Sequence, residues 1–242
     1  MELKDMITKR RSVRKYTAMP AEPEKLEALR AFMDTAKPLY PEIQVSWQVV
    51  DREQVRVFCP VKTPQLVAVY SENKDGYLEN AGFLFQQMEL YLQSVGLGVC
   101  WLGLGKPREK LNKTPEGMEF VILLGFGYPD GEQYRQLYQF QRKCLAEIAD
   151  REDIRLEPAR LAPSSTNSQP WYFTHEGDKI HAYCSRKGLA RHVGLGAMNR
   201  IDMGIAFAHL YVQNPETFCF THETAPALKD YDYIGSFTLD KP

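Results

Sequence analysis

The sequence predicts an α+β fold whose second half runs through its elements in an order like that of the first. Two observations carry that expectation: amphipathic or apolar helical stretches alternate with short apolar runs of strand length, and the order of these runs in the second half echoes the first. With 242 residues, 44% hydrophobic and 12% aromatic, the chain is long enough to bury a large core and ordinary in composition.

Taken in order, Glu2 to Arg10 reads as a short amphipathic helix. Glu22 to Thr35 reads as a longer one, with Leu26, Leu29, Ala31 and Phe32 at roughly helical spacing before Pro38 stops it. Val45 to Val50 has strand character, and Gln65 to Tyr70 (QLVAVY) is a continuous apolar run short enough for a buried strand. Tyr77 to Val95 is apolar nearly all round, as a central helix is, and Gly96 or Gly98 is placed to end it. Glu119 to Phe126 is a second buried strand, closed by Gly127, Pro129 and Gly131. The pattern then recurs: a short helix from Ile154 to Ala162, strands at Trp171 to Thr174 and Lys179 to Tyr183, a buried helix from Ala197 to Val212, and strands near Thr217 to Thr221 and Tyr231 to Leu239. Trp47 and Trp171 occupy similar places in the two runs. Few identities are shared and any α+β chain can show two similar runs, so the order alone leaves duplication open.

Charge and cysteine usage narrow the class. Thirty basic against thirty-one acidic residues leave a net charge of -1, which recommends neither nucleic acid nor an anionic membrane as partner; an anion site has to be local. The five cysteines are odd in number and lack CxxC spacing, so they read as small buried apolar residues, with no disulfide framework and no metal site. The N-terminus has no apolar core of signal-peptide length and no run approaches 18 apolar residues, from which a cytoplasmic location is expected. None of the five histidines shows ligand or triad spacing.

Three stretches carry chemistry. LAPSSTNSQPWYF, Leu161 to Phe173, gathers hydroxyls and two carboxamides between Pro163 and Pro170, an inventory suited to a heterocycle with donors and acceptors along one edge; alone it equally marks a surface turn. In KRRSVRK, Lys9 to Lys15, alternate residues Arg10, Ser12 and Arg14 of an extended segment point to one side and so converge on one anion, whereas the bland alternative is a solvated basic face. In VGLGVCWLGLG, Val95 to Gly105, glycines admit a flat ligand close to the backbone and Trp101 offers a stacking face, although a Trp in such a place is more often core. The spacing is not that of a dinucleotide-binding fingerprint, and the stretch follows a helix instead of a strand.

Together RRSVRKY, ENAGFLFQQMELYLQSVGLGVCWLG, VILLGFGYP and APSSTNSQPW resemble the flavin-dependent nitroreductase family over most of the chain. The resemblance implies a nitroreductase-like α+β fold and an FMN cofactor. It implies that Arg10, Ser12 and Arg14, with Arg11 and Arg142, hold the FMN phosphate. It places Leu102, Gly103 and Leu104, in a Gly-rich turn after the central helix, against the ring, beside the stacking face that Trp101 offers. Pro163, Ser164, Ser165, Asn167 and Gln169 follow as contacts to ribityl and ring. One departure is informative. Family members are homodimers whose serine and asparagine loop follows the RRS motif closely, whereas here that place is taken by AKPLYPEIQVSW, Ala36 to Trp47, and the loop comes one half later. The expected arrangement is therefore a fused pseudo-dimer: residues 1–145 as the first half, 146–242 as a degenerate second half standing in for the partner, one live site and one dead one.

On that resemblance the protein is expected to be an oxidoreductase. It passes hydride from NADH or NADPH through FMN to a nitroaromatic, quinone or similar small electrophile, with no side-chain nucleophile and no metal; further homodimerisation stays open. The alternative is a protein that binds FMN for storage or sensing, with Arg186, Lys187, Arg191 and the segment Gly188 to Gly196 folded over the ring.

Overall fold

A computed structural model describes residues 2–108, 114–186 and 195–240. The chain runs α1 (Leu3–Ile7), α2 (Pro23–Met33), β1 (Val45–Asp51), β2 (Val55–Val57), β3 (Gln65–Ser71), α3 (Tyr77–Ser94), β4 (Gly98–Leu102), β5 (Gly105–Pro107) and β6 (Glu119–Gly127). It continues through α4 (Leu145–Ile148), α5 (Glu157–Leu161), β7 (Trp171–Glu176), β8 (Lys179–Ser185), α6 (Leu195–Gln213), β9 (Cys219–Thr221) and β10 (Tyr231–Thr238). The continuous apolar run of β3 is buried at every residue, as its pattern requires. Helix α3 ends where Gly96, at φ +89°, supplies the left-handed turn.

Two antiparallel four-stranded sheets form, ordered β1-β3-β6-β4 and β7-β8-β10-β9. Counting each set of four along the chain, both sheets read first, second, fourth, third. One core cluster draws on both, among them Phe85 and Leu124 from the first half and Phe173, Phe207 and Phe237 from the second. Its middle is the crossing of α3 with α6. A Cβ on Gly82 would stand 2.1 Å from the Ile201 carbonyl oxygen, and one on Gly204 would stand 2.0 Å from that of Glu79. Each glycine thus faces the carbonyl three residues before the other, the reciprocity of a two-fold contact.

The same reciprocity holds two loops. Asn80, two residues before Gly82, accepts the N–H groups of Leu39 and Tyr40 at 2.8 and 2.9 Å, just after Pro38. Asp202, two residues before Gly204, accepts the N–H of Ser165 at 3.0 Å to each carboxyl oxygen, just after Pro163. The two loops diverge beyond that anchor: on the first, the Tyr40 ring packs edge-on against Phe220 of β9, their centroids 5.5 Å apart.

Two expectations change. Val95 to Gly105 is not a glycine-rich turn: Gly98–Leu102 is an edge strand paired to β6, and Gly105–Pro107 pairs with β2 in a separate two-stranded ribbon. Glycine weakens a strand, but here the partner strand and the N-terminal segment supply the order. The cysteines are not uniformly buried either; Cys100 and Cys184 are, Cys59 is half-buried, and Cys144 and Cys219 are exposed.

Candidate functional site

The N-terminal segment crosses the edge of the first sheet in extended form. Ser12 bridges Val99 in parallel and the Val13 N–H donates to the Val99 carbonyl at 2.9 Å. Gly98 permits this, since a Cβ there would lie 2.6 Å from the Val13 side chain. The approach points Arg10 inward. It is 1% exposed, and its Nε donates to Glu89 at 2.9 Å. Burial pushes the Glu89 carboxyl up; the Arg10 charge and the donated amides of Gln86 and Gln93 pull it down. Arg10 Nη2 donates to the Ser12 hydroxyl at 3.0 Å, and Nη1 is buried with no partner.

Arg10, Ser12 and Arg14 do meet on one cavity, of about 300 Å³, whose further walls are Arg135, Arg142 and the loop at Pro163 and Ser164. Burial first, and then Arg10 and other guanidiniums nearby, depress Arg135 and Arg142 to about 10, so both stay charged at neutral pH. The Nε of Arg135, like Nη1 of Arg10, is buried without a partner. A second, deeper cavity of about 90 Å³ shares Ser12, Arg14, Pro163 and Ser164 with the first and continues between Cys100, Trp101 and Gly103 on one side and Met198, Ile201 and Asp202 of α6 on the other. The strand alternation of β4 decides which of its side chains face inward. Trp101 faces the cavity, its indole N–H fixed by Gln86 at 3.1 Å. A Cβ at residue 103 would meet the Met198 sulfur at 2.8 Å.

Behind Trp101 the polar groups are paired and few. Gln86 donates to Glu89 at 2.6 Å and lies 3.1 Å from His209 Nε2, while His209 Nδ1 lies 3.0 Å from the Pro158 carbonyl. A carbonyl only accepts, so Nδ1 carries the hydrogen and Nε2 accepts from Gln86. Burial, with Arg10 adding to it, pushes His209 down to about 3, so the ring is neutral.

The loop is held in a costly conformation. Thr166, Asn167 and Gln169 have φ of 52°, 58° and 48°, which a β-branched residue in particular adopts only under constraint. The constraint is local. Arg142 donates to the side-chain Oδ1 of Asn167 at 2.6 Å, the Lys143 N–H donates to Gln169 Oε1 at 2.8 Å, and the Gln169 N–H donates to the Ser164 hydroxyl at 2.9 Å.

Several candidates fall elsewhere than the sequence suggests. Arg11 faces away, paired with Glu132 at 3.0 Å, because its neighbours in the extended segment take the cavity side. Leu102 alternates into a buried apolar cluster, and Leu104 is an exposed side chain that walls neither cavity. Gln169 is buried, its amide donating to the Asn167 backbone carbonyl and its oxygen accepting from the Lys143 N–H, so it shapes the loop and lines neither cavity. Asn167 walls the cationic cavity with both ends of its amide engaged, by Arg142 and the Gln141 carbonyl. Of the segment expected to cover the ring, Lys187 and Arg191 lie outside the described residues, and Arg186 lies 3.6 Å from Asp232 beside a wider cavity of about 660 Å³. Among the described residues that cavity carries no orphaned guanidinium; its Arg200 is paired with Glu79.

Sequence reading missed Arg135 and Asp202. Nothing in EQYRQLYQFQRKC singles out one cation over another. Asp202 did leave a signal: it is an acid in the apolar run IDMGIAFAHL.

The model of a family described as "Putative TM nitroreductase" matches residues 2–214. Among solved structures, a protein from Thermotoga maritima described as a "putative nitroreductase" aligns with a TM-score of 0.66 at 18% identity, covering 99% of this chain and 94% of its own. That likeness shows a common fold. A nitroreductase family protein of Clostridium difficile 630 aligns with a TM-score of 0.49 at 20% identity, over 61% of this chain and 96% of its own. An "FMN-dependent Nitroreductase" of Clostridium difficile R20291 aligns with a TM-score of 0.45 at 21% identity, over 54% and 88%. No curated protein matches the sequence.

Proposed function

The chain belongs to the nitroreductase family whose model matches its residues 2–214, and on that premise we propose that it is an FMN-dependent oxidoreductase taking hydride from NADH or NADPH and delivering it to a nitroaromatic, quinone or similar electrophile. One observation carries the cofactor: four guanidiniums, of Arg10, Arg14, Arg135 and Arg142, line one cavity with no acid in its wall among the described residues, and that cavity shares Ser12, Arg14, Pro163 and Ser164 with a slot bounded by Trp101 and Gly103. Guanidiniums crowded on one cavity repel one another, as the part that Arg10 takes, after burial, in lowering Arg135 and Arg142 shows, and a phosphate offsets that repulsion while accepting charge-assisted hydrogen bonds. The residues therefore fit the group.

Arg10, Ser12, Arg14, Arg135 and Arg142 would hold the phosphate, and Pro163, Ser164 and Ser165 would wall the ribityl chain and ring. Trp101 and Gly103 present a flat, close surface to the ring. When bound, FMN supplies two-electron chemistry between a reduced nicotinamide and the acceptor. The protein positions it, and the apolar walls at Ile122, Ile201 and Met198 keep water from the ring.

The reading extends to ancestry: the halves are copies, and only one of two related sites is live. Supporting it are the shared strand order, the reciprocal Gly82 and Gly204 contact and the matched anchors Asn80 and Asp202. On the other side Tyr40 and Phe220 pack where a ligand would need space.

The test is direct. Purified protein is expected to be yellow, with a flavin spectrum, and to bleach anaerobically within minutes on adding NADH or NADPH. Yellow protein that neither nucleotide bleaches rules out the reductase and leaves a flavin-binding protein. Colourless protein that takes up no added FMN ends the flavin reading altogether.

A further inference from the structure

The one carboxyl that the described residues place in the wall of the ring cavity has no part in the scheme above. Asp202 lies in the second turn of α6, is 3% exposed, and faces the cavity between Ile201 and Ile205. Among the described residues its two oxygens share a single donor, the Ser165 N–H at 3.0 Å from each. A buried carboxylate has about four lone-pair positions to satisfy, and one N–H is far too little. Burial accordingly drives Asp202 up to about 8, with only that N–H opposing. Among the described residues no ion pair reaches it. Arg14 on the N-terminal segment, Cys100 on β4 and Cys184 on β8 are the charged or titratable groups around it, and Arg200 on its own helix is taken by Glu79 of α3.

Anchoring the loop does not require an acid. At the reciprocal position of α3 the neutral Asn80 accepts two loop N–H groups with one amide oxygen. On that side the space is filled by Tyr40 against Phe220; the acid stands where the space is open.

We infer that Asp202 is a ligand-contact residue, present as a neutral carboxylic acid, that recognises the polar edge of the bound heterocycle by donating its O–H to an acceptor atom on the ring. The inference rests on the flavin reading. It deepens that reading by assigning ring recognition to a side chain of α6 in addition to the serine and asparagine loop. Only the protonated form makes the contact, and its share falls from about nine-tenths at pH 7 to about one-tenth at pH 9, so affinity for FMN falls about tenfold over that interval.

The experiment is FMN titration by flavin fluorescence quenching from pH 7 to 9, with the full chain and with Asp202→Asn. The asparagine keeps an acceptor for the Ser165 N–H and a donor for the ring. Wild type is expected to lose about tenfold in affinity over that range. Asp202→Asn should bind with little dependence on pH. Infrared difference spectra of wild type at pH 7 are expected to show a protonated carboxyl band that shifts on adding FMN and is missing from the variant; this readout, and the wild-type profile, stand even if the variant folds poorly. A flat wild-type profile, the same fall in Asp202→Asn, or a carboxyl band that FMN leaves unmoved each overturn the inference while leaving flavin binding intact. No FMN binding by wild type at pH 7 overturns both.

Discussion

Arg10 and Arg14 belong to one motif, yet their environments give them different tasks. Arg10 is a core residue whose charge is balanced by Glu89 at 2.9 Å, both side chains essentially inaccessible. Truncating it strands a buried carboxylate, so Arg10→Ala is expected to cost about 3–5 kcal/mol of stability, read from urea unfolding. Arg14 is exposed and, among the described residues, donates to the Ser12 carbonyl alone, at 3.4 Å. Arg14→Ala should leave the unfolding midpoint nearly unchanged while weakening FMN binding by about 1.5–3 kcal/mol, read from fluorescence titration. The alternation R-x-S-x-R revealed the convergence of three side chains. It could not reveal that one of them is buried, because the acid that buries it lies 79 residues away on α3.

At the scale of elements, the crossing of α3 and α6 decides how the two halves fit. Gly82 and Gly204 let the helix backbones touch, and either Cβ would enter a carbonyl oxygen of the opposite helix. Gly204→Ala is therefore expected to cost about 1–3 kcal/mol or more, as overpacking does, and to disturb the cavity wall because Ile201, Asp202 and Ile205 ride on the same helix. Urea unfolding and FMN affinity should fall together. Both helices were legible as apolar runs of the right length, and so were β3 and β6. The strand β4 was not: its glycines signal a turn, and its order comes from β6 and from the N-terminal segment laid against it, both remote in sequence.

For the whole molecule, two buried groups set opposing dependences of stability on pH. Asp202, at about 8 against an ordinary 3.8, keeps a proton in the folded state that the unfolded chain releases. Its contribution is harmless below about pH 4 and erodes stability as pH rises from 4 to 8. His209, at about 3 against an ordinary 6.5, is neutral when folded and takes a proton on unfolding, so its contribution is present above pH 6.5 and is lost as pH falls to 3. Asp202→Asn is expected to match wild type in urea at pH 4 and to be the more stable protein at pH 8. Equal midpoints at both values would mean the carboxyl is not buried as described. Retaining an acid that weakens the fold is what a ligand contact at this position explains.

The sequence by itself determined the class, the order of helices and strands, the family resemblance, and the separation of the basic motif from the serine and asparagine loop, because periodicity, short apolar runs and local motifs are properties of neighbouring residues. Only the tertiary structure decided which of those motif residues meet. It turned Arg10 into the core, pointed Arg11 and Leu102 away, occupied Gln169 with the backbone, and brought in Arg135 and Asp202, which no motif contains. The reason is physical: whether a polar side chain faces a cavity or a partner depends on which distant backbone passes beside it, and that is set by the packing of α3 on α6 and of the N-terminal segment on β4.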